Sequence, residues 1–221
     1  MIKILYEDKA VIVCIKPVGV LSQADGQESM LSLLAEQCGG EIYPIHRLDR
    51  NVGGVMVFAR TSKAAGKLSA DVQSGGFVKQ YIAAVHGRPQ EGSGIMKDIL
   101  FKDSRKNKSF VVNRPRKGTK DASLEYALLD TVEKGGEECS LVRIKLHTGR
   151  THQIRVQFSS RKMPLMGDGK YGSKENHCET ALWSYKITFR DPVDAREMSF
   201  EALPDKTIYP WNLFDWKNNA E

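Results

Sequence analysis

The chain has 221 residues, of which 41% are hydrophobic and 27% charged, an ordinary globular composition with enough apolar residues to bury a core. Its net charge of +6 favours an anionic partner, nucleic acid before an acidic membrane. Glu7, Asp8 and Lys9 interrupt the apolar residues of the N-terminus, which excludes a signal peptide or a membrane span there and predicts a cytoplasmic protein.

The four cysteines, at positions 14, 38, 139 and 178, stand far apart in the sequence. They form no C-x-x-C pair and have no histidine at the spacing of a zinc site, so we expect reduced, mostly buried thiols. The glycine-rich turn at 167–172 has too few residues of the right kind for a phosphate-binding P-loop. The sequence therefore predicts neither a metal site nor a nucleotide cofactor.

The first 86 residues are predicted to alternate strands with two helices. Apolar alternation indicates the strands, and apolar residues every three or four positions indicate the helices. Ser29 can cap the first helix, and Thr61 or Ser62 the second. The predicted elements are strands at 2–6 and 10–15, a turn at 16–20, a helix ending at Gly39-Gly40, a strand at 55–59, a helix ending at Gly75-Gly76 and a strand at 77–86.

One turn in this half combines a carboxylate with basic side chains. Asp49 stands among His46, Arg47 and Arg50, and a solvated loop is the ordinary interpretation of such a turn. Leu48, however, is apolar although charged residues flank it. If Leu48 is buried, its neighbour Asp49 is held at the rim of the core, where it needs cationic or hydrogen-bonding partners. That is how a functional carboxylate is built.

The strand at 77–86 places Tyr81 on one face with Phe77, Ala83 and Val85. A tyrosine there is usually a core residue whose hydroxyl is satisfied at the edge. The following segment, 102–121, carries eight basic and two acidic residues, and this net charge of +6 equals the formal excess of the whole chain. A solvated hairpin and one that contacts phosphates are both open interpretations.

The C-terminal half is predicted to contain strands at 123–132, 139–147, 181–189 and 197–202, and an aromatic tail that packs back on the sheet. A short helix begins near Thr151, and its N-terminus is crowded by Arg150, His152, Gln153 and Arg155. This helix start is either merely exposed or suited to an anion. Strands outnumber helices and no linker is visible, which predicts a single α+β domain over residues 1–221 with a mixed, mainly antiparallel sheet and flanking helices.

Taken together, five motifs resemble the RluA-type family of RNA pseudouridine synthases. Each motif is weak alone, but their order and separations are specific, and they run through nearly the whole chain. They are Lys16-Pro17-Val18-Gly19, His46-Arg47-Leu48-Asp49, Lys79-Gln80-Tyr81-Ile82-Ala83, the stretch at 148–155 and the turn from Gly167-Asp168 to Tyr171-Gly172.

The resemblance implies that a chosen uridine in structured RNA, ribosomal or transfer, is isomerised to pseudouridine: the base leaves C1′ and is reattached through C5. Asp49 would be the nucleophile, and Arg155 would pair with it. Tyr81 would stack on the target base and take part in proton removal, and Arg47 would occupy the space that the extruded base leaves. No cofactor is implied, because an isomerisation has no net redox change, and nothing demands more than a monomer.

The polar residues around these motifs and in the basic segment would hold the RNA. The expected RNA contacts are His46, Arg47, Arg50, Lys106, Lys108, Arg114, Arg116, Arg150, His152 and Gln153.

The sequence departs from the family pattern at two places. The Thr-Ser-Gly usual after the catalytic aspartate is here Val52-Gly53-Gly54, which loses two hydroxyls and gains a flexible glycine. The usual Leu-His-Ala near the C-terminal strand is here Leu182-Trp183-Ser184. The chain also begins directly at the expected catalytic domain, so no N-terminal S4-type RNA-binding domain is expected.

Two other functions compete with an active synthase. The altered loop after Asp49 allows an RNA-binding or RNA-folding protein whose activity has decayed. A hydrolase that uses Asp49 against a phosphate or a sugar is the third hypothesis, but such enzymes usually show a metal cluster or a paired acid. Asp168, the obvious second carboxylate, lies in a turn that matches a family motif.

Overall fold

The computed structural model describes residues 1–24 and 26–216. Within these ranges the chain forms eleven strands and three α-helices, joined by turns and two short 3₁₀ segments. The elements are β1 (Lys3–Glu7), β2 (Val11–Lys16), α1 (Met30–Cys38), β3 (Tyr43–Pro44), β4 (Gly53–Ala59), α2 (Ser62–Ser74), β5 (Val78–His86), β6 (Ser93–Asp103), β7 (Lys108–Val112), β8 (Thr119–Lys134), β9 (Glu137–Leu146), α3 (Gln153–Ser159), β10 (Leu182–Arg190) and β11 (Glu197–Glu201).

The chain divides into two compact units. The first comprises Met1–Gln80 and Trp183–Pro204, and the second comprises Tyr81–Leu182 and the chain from Asp205 onward. Two of the divisions fall inside strands, β5 and β10. A division inside a strand leaves no Pro-, Gly- or Ser-rich linker in the sequence, which is why composition showed no boundary.

The first unit is built on four strands in the order β1-β2-β4-β10, with β3 paired to β4 and β11 to β10. The pairs are antiparallel except β4 with β10, which is parallel. All seven residues of β4 are buried. Leu68 of α2 and Phe77 and Phe189 complete the core on one side of β4. Each such side chain contributes about 1.5–3 kcal/mol by leaving water, so β4 is a rigid support for the turn that precedes it.

The second unit has the strand order β5-β9-β8-β6-β7. Strand β6 was not predicted, because only two of its eleven residues are fully buried and it lacks a continuous apolar face. It nevertheless lies between β7 and β8 and pairs antiparallel with both. The mixed, mainly antiparallel α+β architecture predicted from the sequence is thus confirmed.

The aromatic tail belongs to the second unit. Trp211 and Phe214 are buried, as predicted, and the Tyr209 hydroxyl donates to Glu175. The four cysteines are free thiols, two buried and two half-buried. Across residues 1–24 and 26–216, no helix combines the length and the apolarity needed to cross a membrane.

Candidate active site

The hydroxyl of Ser22 fixes the turn that carries Asp49. Ser22 Oγ accepts a hydrogen bond from Leu48 N at 3.0 Å and donates one to Leu48 O at 2.8 Å. Val52 N closes the turn by donating to Asp49 O at 3.0 Å. Leu48 is buried, as predicted, and Asp49 is half-buried beside it. The backbone on both sides of the carboxylate is therefore fixed.

A fully buried lysine joins this turn to the Lys16-Pro17-Val18-Gly19 turn. Lys16 Nζ donates to Pro17 O at 2.9 Å, to Val20 O at 2.6 Å and to Arg50 O at 3.2 Å. Gly19 and Arg50 add two bonds, one from Gly19 N to Arg50 O and one from Arg50 Nε to Gly19 O, both at 2.9 Å. The three donors of one ammonium group are thus distributed over the two turns.

Burial lowers the pKa of Lys16 to about 8, against the opposing effect of the Asp49 negative charge. The ammonium is still mainly protonated at pH 7, so a cation interacts electrostatically with the Asp49 carboxylate from inside the core. From the sequence, Lys16 was predicted only to lie in a turn. The available signal was a lysine at the end of an apolar strand and directly before a proline.

His46 is 9% exposed, and its ring packs on Phe77 with 5.2 Å between centroids. Its Nε2 accepts from Val57 N at 3.2 Å, which places the proton of the neutral ring on Nδ1. Burial, with a smaller effect from the charge of Lys79, lowers the pKa of His46 to about 3. The buried neutral ring supports strand β4, and RNA contact by His46 stays a prediction. Arg47 and Arg50 are exposed.

The two departures from the family pattern meet in space. Gly53 and Trp183 are register partners of β4 and β10, and a Cβ on Gly53 would lie 2.4 Å from a ring carbon of Trp183. Gly54 has φ +122°, and a Cβ there would lie 2.2 Å from Ser184 O. Strand β4 therefore begins at Gly53, two residues before the predicted start at Val55. Gly53 is therefore not a flexible hinge. Its missing side chain leaves the space that the Trp183 indole occupies.

In the second unit, Tyr81 lies in β5 and is 5% exposed. Arg155 lies in α3 and is 6% exposed. Its Nε donates to Asp168 Oδ2 at 2.7 Å and its Nη2 to Asp168 Oδ1 at 2.8 Å, a two-pronged pair inside the core. The guanidinium carbon is 5.0 Å from the centroid of the Tyr171 ring. Arg155 is thus oriented by a carboxylate and by an aromatic face.

Tyr171 is itself held in place. Ser109 N donates to its hydroxyl at 2.8 Å, and His152 Nδ1 lies 2.9 Å from the same oxygen. His152, half-buried, has φ +53°, a left-handed conformation, and is the N-cap of α3, one residue after Thr151, near which the helix was predicted to begin. His152 therefore helps to orient the ring beneath Arg155, a role that the sequence did not indicate.

The polar residues at the start of α3, which the sequence left open as either exposed or suited to an anion, make contacts within the second unit. Gln153 is buried, its Oε1 accepts from Thr148 Oγ1 at 2.8 Å and from Arg150 N at 3.0 Å, and its Nε2 donates to Ser123 O at 3.1 Å. Arg150, half-buried, donates from Nε to Asp121 O at 2.9 Å. These bonds fix the loop before α3 and give Gln153 a structural role, and its contact with RNA stays a prediction.

The basic segment forms the β6–β7 hairpin and the loop into β8. Lys106, Arg114 and Arg116 are exposed, which leaves their charges accessible to phosphates. Lys108 differs, because its Nζ donates to Lys170 O at 2.5 Å and lies 5.0 Å from the Tyr171 ring centroid. Three of the four predicted cations therefore point to solvent, whereas Lys108 makes contacts within the second unit.

Known proteins with similar sequences agree with the family that the motifs indicate. Residues 10–160 match the family model described as RNA pseudouridylate synthase. The chain belongs to the RNA pseudouridylate synthase family. Members of this family are isomerases, and the match confirms the resemblance and the enzyme class expected from the motifs.

Two relatives and one solved structure illustrate the pseudouridylate synthase match. The tRNA pseudouridine synthase C of Pasteurella multocida is 30% identical over 99% of this chain and 98% of its own length. The ribosomal large subunit pseudouridine synthase D of Borreliella burgdorferi is 31% identical over 91% of this chain and 64% of its own length. Human RNA Pseudouridylate Synthase Domain Containing 1 shares the fold, with a TM-score of 0.80 at 22% identity, over 96% of this chain and 86% of that one.

We expect Gly53 and Trp183 to be energetically coupled in this pseudouridylate synthase. Gly53→Ser should lower the free energy of unfolding by about 1–3 kcal/mol, because the new side chain overlaps the indole. Adding Trp183→His should recover stability, so that urea unfolding of the two single variants and the double variant gives a coupling energy of about 0.5–3 kcal/mol.

Gly66→Ser is the matched control for this cycle, since Gly66 lies in α2 with open space around its Cα. It should unfold at or slightly above the wild-type urea concentration, because serine is a better helix former than glycine. Wild-type stability of Gly53→Ser would contradict the overlap with Trp183.

The free energy of unfolding should decrease as the pH is lowered, because His46 takes up a proton on unfolding. The folded ring stays neutral down to a pKa of about 3, whereas the unfolded ring takes up a proton below its ordinary value of 6.5. The unfolded state thus binds more protons between these values, and stability decreases as pH falls from 6.5 toward 3. From pH 6.5 to 5 the contribution is about 2 kcal/mol. Urea unfolding at both pH values should show a smaller decrease for His46→Gln, and equal decreases would refute the assignment.

Proposed function

We propose that this chain isomerises specific uridines of structured RNA to pseudouridine and that Asp49 is the nucleophile. The observation that carries the proposal is the position of Asp49, half-buried on a turn that is fixed by Ser22 and by the buried ammonium of Lys16. A nucleophilic carboxylate must be ionised and must keep its direction while the substrate moves. A nearby cation and a clamped backbone supply both conditions.

The proposed reaction conserves all atoms of the nucleoside. The Asp49 carboxylate attacks the uridine, at C1′ of the ribose or at C6 of the uracil, and the N1–C1′ bond breaks. The uracil turns, C5 forms the new bond to C1′, and the Asp49 adduct is released. The proton leaves C5 and N1 gains one, so no oxidant or metal is needed.

We assign the stacking role to Tyr81 and the fixed positive charge to Arg155. An aromatic face under a base contributes about 1–3 kcal/mol. That amount is similar to the few kcal/mol needed to extrude a base from its stack. The two bonds from Arg155 to Asp168 support its role, because they set the plane of the guanidinium before any substrate arrives. We assign to Arg47, which is exposed and lies two residues before Asp49, the filling of the space that the base leaves.

Both transfer and ribosomal RNA are proposed as substrate classes. One relative is named for tRNA and another for the ribosomal large subunit, and the chain spans nearly the whole length of the first. The exposed cations Lys106, Arg114 and Arg116 suit phosphates of either RNA. The RNA fold, through these contacts, would select the uridine that reaches Asp49.

The alternative of a decayed, RNA-binding relative loses its main motive. That alternative rested on the altered Val52-Gly53-Gly54 loop. The packing of Gly53 under Trp183 gives this change a local steric reason that removes no catalytic group. We therefore favour an active enzyme.

We expect release of tritium from C5-labelled uridine when the wild type acts on unmodified transfer or ribosomal RNA. Asp49→Asn should release none, because an amide is a poor nucleophile of nearly the same size. Arg155→Lys should lose most of the activity and remain folded, since lysine keeps a charge opposite Asp168 but cannot form the two-pronged pair. Circular dichroism checks the fold of each variant.

Equal release by wild type and Asp49→Asn would remove Asp49 from the reaction. No release by the wild type from either naked RNA or from a ribosomal precursor particle would contradict the enzyme proposal and favour a binding function. A normally active Arg155→Lys would remove Arg155 from the site.

Neutralising the basic segment should weaken RNA binding and make it less dependent on salt. Each phosphate contact that is lost reduces the number of counterions released when RNA binds. The test variant changes Lys106, Lys108, Arg114 and Arg116 to glutamine. A charge-matched control changes four exposed lysines elsewhere, namely Lys3, Lys9, Lys63 and Lys174. The slope of log K against log salt should fall in the test variant more than in the control. Equal slopes would show that the segment makes no phosphate contacts.

A further inference from the structure

Two phenylalanines stand side by side on one face of the β6–β7 hairpin. Phe101 of β6 and Phe110 of β7 are direct register partners in the antiparallel pair. Directly opposed residues point to the same face, with Cβ atoms about 4.5–5.5 Å apart. Ile99 and Val112, the next partners along this face, extend its apolar character. The hairpin therefore has one aromatic face.

One of the two rings is covered by an arginine. The guanidinium carbon of Arg116 lies 4.3 Å from the centroid of the Phe101 ring. The backbone of Arg116 is held there, since its N donates to Thr119 Oγ1 at 3.1 Å and its O accepts from the same hydroxyl at 2.7 Å. Arg116 is exposed, so the outer side of its planar group is accessible to a ligand. A base can stack on such a guanidinium as it does on an aromatic ring.

The second ring is exposed. Phe110 has 37% of its surface accessible and is one of seven large apolar residues that are exposed in the described part of the chain. The Lys108 ammonium lies 5.8 Å from its centroid. Phe110 and Arg116 thus present two flat, accessible surfaces, each next to Phe101.

The charge around these surfaces indicates what binds them. The segment 102–121 carries eight basic residues, and of its two acidic ones Asp103 uses Oδ1 to accept from Arg105 N and Lys106 N. A partner must therefore be strongly anionic and must also offer flat apolar groups. Unpaired nucleotides have both properties, whereas a duplex keeps its bases stacked inside.

We propose that the Phe110–Arg116 face binds an unpaired stretch of the RNA substrate by stacking successive bases on Phe110 and on the Arg116 guanidinium. The proposal rests on the proposed function for the identity of the nucleic acid, and it adds a preference for single-stranded segments. Phosphates of the stacked nucleotides contact the cations of the two adjoining loops. The face thus distinguishes loops from helices in RNA.

The test is binding of fluorescently labelled hexauridylate and of an RNA hairpin stem without unpaired nucleotides, by wild type and variants. Phe110→Ala should weaken hexauridylate binding about 5- to 100-fold, the loss of one stacked base. Binding to the stem should change less than twofold. The salt slope should stay at the wild-type value, since no charge is removed. Phe110→Tyr should restore affinity, and Phe110→Leu, apolar but not aromatic, should not.

Ile95→Ala is the matched control, because Ile95 is 60% exposed and lies on the same strand six residues from Phe101. It should bind both RNAs as the wild type does. Wild-type affinity of a folded Phe110→Ala or of Phe110→Leu, or equal losses for hexauridylate and stem, would overturn the proposal. The assay needs no catalysis, so hexauridylate binding that depends on Phe110 in a chain that releases no tritium would support this face and contradict the proposed isomerisation.

Discussion

The ammonium of Lys16 holds the candidate nucleophile in place. It is fully buried and spends its three donors on backbone carbonyls, two in its own turn and one at Arg50, next to Asp49. A charge in this position is costly to desolvate and is tolerated because each proton has an acceptor. Lys16 also contributes to strand β4, because it is the register partner of Gly54 at the start of that strand. The direction of the Asp49 side chain is therefore set by contacts in the core and not by the surface residues of its loop.

Local pattern predicted most elements and the burial of Leu48, because apolar spacing is written directly in the sequence. Roles that depend on distant partners were not predictable in this way. His46 appeared to be a basic surface residue, but Phe77 and Val57 enclose it. Gln153 was predicted to contact RNA, and its hydrogen bond to Ser123 of β8, 30 residues away in sequence, could not be predicted. The polar type of a side chain shows that it needs partners and does not show where they come from.

Arg155 shows how the second unit prepares a charge. The carboxylate of Asp168 and the ring of Tyr171 constrain the guanidinium, and Ser109 and His152 constrain the ring in turn. Each contact removes a rotational freedom that would otherwise have to be lost when substrate binds. The sequence motifs mark the positions of these residues. Which residue orients which is visible only in the structure.

The packing of Trp183 over Gly53 also constrains how the chain can change over generations. A serine at position 53 clashes with the indole, and a smaller residue at 183 alone leaves a void and removes the bond from Trp183 Nε1 to Ala202 O. Each single exchange toward the usual family residues therefore passes through a less stable protein. We therefore expect the two positions, 130 residues apart in sequence, to be epistatic. Introducing the usual loop into this chain should require both exchanges together.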